Sequence, residues 1–239
     1  MTRRGSTVID YEALAREARR IYFRYAVEVV EEFTFCPWAR SAREAERVRC
    51  NIVLGPRPTL ETLLAEVLAA DACTEIDVTL LVMPECELSR VELRHLTSAL
   101  HTRYEATAGR GKTAHAIADF HPTALLDQTS PERLVPFIRK SPDPTLQLIK
   151  HAALEAARRG SNDGTRAATL EMMLKGAIKD EPPHARVASA NFRTLDRLGP
   201  QPILAVLEDI ARDRAESYAR AGAPPCAWEA TWASQKIQV

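Results

Sequence analysis

Cysteine, histidine and a run of cations supply the chemistry that this sequence can offer. Cys36-Pro37-Trp38-Ala39-Arg40 places a thiol before a proline, and a proline suits the first position of a helix, so Cys36 is expected at a helix N-cap. A thiol there, one turn from Arg40, would have a lowered pKa and could act as a nucleophile. The alternative is a cysteine that only packs in a helix corner. Phe120-His121-Pro122 closes a predicted strand, the end at which open α/β sheets bind ligands, so His121 is a candidate acid, base or metal ligand. Its alternative is a histidine that merely caps the strand. Arg139-Lys140-Ser141-Pro142-Asp143-Pro144, with Lys150 beyond, offers cations and a hydroxyl ahead of an expected helix, an arrangement that suits a carboxylate or phosphate. A solvated basic loop is the competing reading, because Asp143 would itself cap that helix.

Other motifs carry less. Gly109-Arg110-Gly111-Lys112-Thr113 ends like a phosphate-binding loop but lies between a helix and a strand in the wrong order, and reads as a turn. The remaining histidines have no metal-ligand spacing, and Arg94 and His95 read as helix surface. Asp71, Glu75 and Asp77 read as a polar connection. No metal ligand is assigned, and the sequence names no cofactor.

The elements that must position these residues follow from periodicity. An apolar stripe from Tyr11 to Phe33 after Asp10 predicts an amphipathic helix. Strands are expected at Val48 to Leu54, Asp77 to Met83 and Ala114 to Phe120, with helices at Thr59 to Ala70 and Ser89 to Thr107 between them. The expected class is therefore α/β. A small three-stranded, mostly parallel sheet in β-α-β-α-β order is flanked by the N-terminal helix and three or more C-terminal helices, with a ferredoxin-like antiparallel arrangement as the alternative. The connection after His121 is punctuated by prolines and expected to be irregular up to Asp143, where a helix should run to Arg159. Residues 161–183 look like an insertion, and helices are expected over Ala185 to Leu198 and Pro202 to Ala221, followed by a tail over residues 222–239 that carries Trp228 and Trp232. One domain over residues 1–239 is the expected organisation.

Composition narrows the class of function. The 239 residues are 46% hydrophobic and 27% charged, and Lys plus Arg equals Asp plus Glu at 32 each, so the formal net charge is zero. That balance suits a globular protein and gives no long-range attraction to nucleic acid or anionic lipid. No apolar run approaches the roughly 20 residues of a spanning helix, and no secretory leader is apparent, so a cytoplasmic protein is expected. The five cysteines form no C-x-x-C pair, which fits neither a disulfide framework nor a zinc knuckle.

At the three motifs the chain resembles an uncharacterised bacterial family, catalogued as the domain of unknown function numbered fourteen-fifteen. That family has Cys-Pro-Phe-Ala-Arg/Lys after an N-terminal helix, a strand ending in Phe-His-Pro, then Arg-Ser-Pro-Tyr-Pro-x-Leu-His-Leu-Leu-Arg-Glu and an Asn-bearing helix ending in Leu-Gly. The chain matches at Cys36-Pro37, Ala39-Arg40, Phe120 to Pro122, Ser141-Pro142, Pro144, Leu146, Leu148, Asn191 and Leu198-Gly199. It departs at Trp38, Lys140, Asp143, Gln147 and Lys150-His151, as a divergent member would. The resemblance implies one shared site, to which it adds Asn191, without naming its chemistry.

The expected function is an enzyme of small-molecule metabolism. Cys36 would be the nucleophile and His121 the proton carrier, with Arg40, Arg139, Lys140, Ser141, Lys150 and Asn191 holding a small anionic substrate for acyl transfer or hydrolysis. The alternatives are a non-catalytic module that binds an anionic metabolite, and a metal-dependent enzyme with Cys36 and His121 as ligands. A homo-oligomer is compatible with the sequence.

Overall fold

A computed structural model of the chain describes residues 8–109, 111–156 and 183–234. Helix α1 (Tyr11–Tyr25) starts at Asp10, whose carboxylate accepts the Ala13 N–H. It buries Leu14, Ala18, Ile21, Tyr22 and Tyr25 along one stripe, as the periodicity predicts. It widens into a π-helical turn over Ala26–Glu31, and α2 (Ala39–Glu44) follows. Strands β1 (Val48–Ile52) and β2 (Val78–Val82) are parallel neighbours joined by α3 (Leu60–Asp71), and α4 (Arg90–Ala108) leads from β2 to β3 (His115–Phe120). Ser89 and Glu92 form a reciprocal capping box at the start of α4.

The sheet itself corrects the expectation. It has four strands in the order β1-β2-β4-β3, because β4 (Thr145–Lys150) lies antiparallel between β2 and β3. The stretch read as a helix from Asp143 to Arg159 is this strand, and residues 151–156 are helical. Two facts decide it. Leu146 and Leu148 are both fully buried, the two-residue period of a strand. Asp143, read as the helix cap, spends both carboxylate oxygens elsewhere: Oδ1 accepts from Arg214 Nε at 2.7 Å and Oδ2 from the Tyr218 hydroxyl at 2.6 Å. The predicted irregular connection also contains a helix, α5 (Pro131–Ile138), capped by Ser130 and opened by Pro131 at its first turn.

The chain continues with α6 (Pro183–Leu198), α7 (Gln201–Arg220) and α8 (Ala227–Ser234). The expected insertion lies, but for Pro183, outside the described residues. One face of the sheet packs a cluster from α1, α5, α6 and α7, and the other packs α3 and α4. Each fully buried leucine in these clusters contributes roughly 1.5–3 kcal/mol of apolar burial. Part of the expected tail folds back: Trp228 is buried, and its indole N–H donates to the Cys86 carbonyl at 2.8 Å. Arg214 stacks on the rings of Tyr218 and Trp228, donates to Glu229 at 2.6 Å and binds the Pro84 carbonyl, so one buried guanidinium ties β4, α7 and α8 together. Among the described residues no helix is long and apolar enough to cross a membrane.

Candidate functional site

The ends of β2 and β3 lie at the same edge of the sheet, and His121 leaves β3 there beside the start of α4. Its Nε2 is 2.9 Å from the Leu88 carbonyl, which can only accept, so Nε2 carries the proton. Nδ1 then accepts from the Thr123 N–H and hydroxyl, at 3.2 and 2.9 Å. Trp228 meets the ring edge-on, with centroids 6.3 Å apart. Burial pulls the His121 pKa below the ordinary histidine value against the pull of the Leu88 carbonyl, and Arg90 and Lys140 push it down further. The imidazole is thus held neutral, in one tautomer, with both nitrogens occupied.

Beside it opens a cleft of about 160 Å³, walled by α4, the end of β3 and α5. Arg90 and Arg94, one turn apart on α4, line one wall; Glu132, Val135, Pro136 and Arg139, a single helical face, line the other. Asp119 points to the same side of β3 as Ile117, which packs with the α3–α4 cluster, and completes the lining. Arg139 lies over the Phe120 ring at 5.7 Å. Among the described residues, the side chains of Arg90, Arg94, Arg139 and Asp119 make no hydrogen bond or close ion pair. Burial lowers the basicity of both Arg90 and Arg139, with Arg94 adding repulsion to each. Elsewhere Arg20, Arg24, Arg43, Arg47 and Arg214 are pushed the other way: hydrogen bonds to carboxylates dominate in the first four, and in Arg214 burial pulls down but Asp143, Tyr218 and Glu229 together outweigh it.

The residues singled out from the sequence do not gather around this cleft. Of the eight, His121 and Arg139 line it. Lys140 is buried beneath, its ammonium donating to the carbonyls of Pro122 at 2.5 Å and Ala124 at 3.2 Å, and burial pulls its pKa down to about 8. Ser141 is fully buried and donates to the Asp143 carbonyl. Lys150 sits at the far end of β4, about 17 Å along the strand from Thr145, where it binds the carbonyls of Cys73 and Thr74.

Cys36 belongs to a separate neighbourhood. The N-cap of α2 is Trp38 rather than Cys36, and the Cys36 carbonyl instead accepts a turn bond from Ala39 at 3.2 Å. Burial pushes the thiol above its ordinary pKa, against the N–H groups of Trp38 and Ala39, which is the reverse of an activated nucleophile. Arg40 turns to the buried Glu31, 3.5 Å away, which Arg43 already grips with two bonds of 2.7 and 2.8 Å. Asn191 holds the loop by donating to the Phe35 carbonyl at 3.1 Å. The hydrogen-bonding and electrostatic partners of Cys36 and those of His121 share no described residue.

Sequence reasoning passed over Arg90 and Asp119 and read Arg94 as helix surface, where it is exposed but also lines the cleft. Two signals point to them: arginines four apart at a helix start directly after a strand, and an aspartate two residues before His121, hence on the same side of β3. A second buried group lies at the opposite end of that strand, where His115 Nδ1 and the Tyr104 hydroxyl both bind Asp71 Oδ1, at 2.8 and 2.7 Å. Among the described residues no three His, Cys, Asp or Glu side chains are grouped to hold a metal ion.

A model of the family described as "Protein of unknown function (DUF1415)" matches residues 22–170, a span that includes Cys36, His121 and every residue lining the cleft. Asn191 lies outside it. No curated protein and no solved structure matches the chain.

Proposed function

The chain belongs to the DUF1415 family, and for this member we propose the binding of a small anionic metabolite, a carboxylate or phosphate, in the cleft between α4 and α5. The observation that carries the proposal is the set of three guanidiniums, Arg90, Arg94 and Arg139, lining one cleft with no hydrogen-bond partner among the described residues. Arg90 and Arg139 are half-buried, Arg94 is exposed beside them, and a charge taken partly out of water without a partner costs stability. The i,i+4 pair of Arg90 and Arg94 adds like-charge repulsion. A ligand anion reverses both costs at once, and planar guanidiniums match carboxylate and phosphate oxygens in pairs. Arg20, Arg24, Arg43, Arg47 and Arg214 are each paired with carboxylates, whereas these three share one cleft without such a pair among the described residues.

This reading takes the binding alternative over acyl transfer through Cys36 and His121. His121 supports the site by shape: locked between Leu88, Thr123 and Trp228, it holds the end of β3 against α4. Lys140 supports it from below by tying down the Pro122–Ala124 turn. The volume also restricts the ligand, since cofactor and drug-sized sites usually run to about 300–1,000 Å³.

Calorimetric titration of the full chain with phosphate, acetate and sulfate at low ionic strength tests the proposal. Saturable binding that weakens at least about tenfold in Arg139→Gln is expected, the size of losing one charged hydrogen-bonding partner. Equal binding by wild type and Arg139→Gln, or none by wild type, overturns it.

A further inference from the structure

The cleft contains one group that a plain anion site should not have. Asp119 lines it, half-buried, beside three guanidiniums, and none of them closes a hydrogen bond or an ion pair with it. Its charge still reaches Arg90, Arg139 and His121 through space. In a site that receives only an anion, a fixed carboxylate repels the ligand and lowers affinity. The other acidic residue on the wall is already engaged: Glu132 accepts the Ser130 hydroxyl at 2.8 Å in the first turn of α5. His121 is neutral and contributes no charge. Asp119 is therefore the acidic lining group whose side chain has no hydrogen-bond partner among the described residues, and a ligand can supply one.

We propose that the ligand is a small zwitterion whose carboxylate or phosphate rests on Arg90, Arg94 and Arg139 and whose ammonium group pairs with Asp119. The inference rests on the anion-binding reading above and deepens it. It turns an acid that would weaken binding into the group that selects among anions, because an anion without an amine meets Asp119 as a repulsion while an amino-anion meets it as a counter-charge. The cleft of about 160 Å³ sets the scale at an amino-carboxylate or amino-phosphate of a few heavy atoms rather than a nucleotide.

Matched probes separate this inference from the reading beneath it. Full-length protein is titrated with propanoate against β-alanine, and with ethyl phosphate against phosphoethanolamine, each pair differing by one terminal amine. In at least one pair the amine-bearing member is expected to bind about tenfold more tightly or better. Asp119→Asn, which keeps the shape of the side chain, should abolish that advantage and bind the plain anion more tightly than wild type does. Equal affinities within both pairs in wild type overturn the zwitterion and leave the anion site standing. An advantage that survives Asp119→Asn likewise overturns the assignment to Asp119. Failure of all four probes to bind wild type removes both readings. The wild-type comparison needs no variant, so a misfolded Asp119→Asn protein would not rescue the proposal.

Discussion

Replacing Lys140 by methionine should change how stability depends on pH, in a direction that burial dictates. Burial holds the ammonium at about 8 in the folded chain, against about 10.4 for an unfolded lysine. Below about pH 8 both states carry the proton, and the folded state bears the net cost of holding that charge out of water. Between about 8 and 10.4 the unfolded chain binds more protons than the folded one, so stability attributable to Lys140 rises with pH and then levels off. The difference of a little over two pH units corresponds to about 3 kcal/mol across that window. The thiols of Cys50, Cys86 and Cys226, each pushed by burial to about 11, act oppositely over an overlapping range, but they are common to both proteins and cancel in the comparison. Urea unfolding of wild type and Lys140→Met at steps from about pH 7 to 10 reads the difference directly. Wild type should gain on the variant by about 2.5 kcal/mol between about pH 7 and 10. A constant difference, or a wild type that loses ground, would refute the argument that the ammonium is buried at a cost.

Other outcomes follow from the same contacts. Asp143→Asn leaves Arg214 charged inside the fold with only Glu229 to balance it, and should cost about 3–5 kcal/mol in urea unfolding; a loss below about 1 kcal/mol would mean that the pair is not desolvated. Arg139→Gln should leave the melting temperature of the free protein unchanged or higher, because it removes a half-buried guanidinium that lacks a hydrogen-bond partner, even as it weakens anion binding. Alkylation of Cys36 followed by mass spectrometry against pH should show a thiol that ionises later than a free cysteine; an earlier onset would restore it as a nucleophile. Nitrogen chemical shifts of His121 should report the neutral Nε2–H tautomer across neutral pH and a transition below the ordinary histidine value; a charged ring at pH 7 would contradict the assigned hydrogen bonds.

The cleft, rather than Cys36, emerges as the candidate site because of where side-chain polar groups have already been spent. Lys140, Ser141 and Lys150 are the types that bind anions, yet their polar atoms are committed to backbone carbonyls. Arg90, Arg94 and Arg139 remain available. Residue type identifies what a side chain can do, and only its partners decide whether it is free to do it.

Local order was legible from the residues themselves. The α1 stripe, the cap at Asp10, strands β1 to β3 and the helices between them depend on periods and caps that act within a few residues. The likeness to the family was legible too, and so was the placing of His121 at a strand end. Strand β4 was not, because Asp143-Pro144 satisfies the local rules for a helix start and six residues are too few for the periods to separate. What settled it was long-range: pairing of β4 with both β2 and β3, and the demand of Arg214, 71 residues away, for the Asp143 carboxylate. The cleft is tertiary in the same sense. Arg90, Asp119 and Arg139 stand far apart in the chain, and no local rule brings them together; the packing of α4 and α5 around the end of β3 does, and the same packing keeps Cys36 among different neighbours.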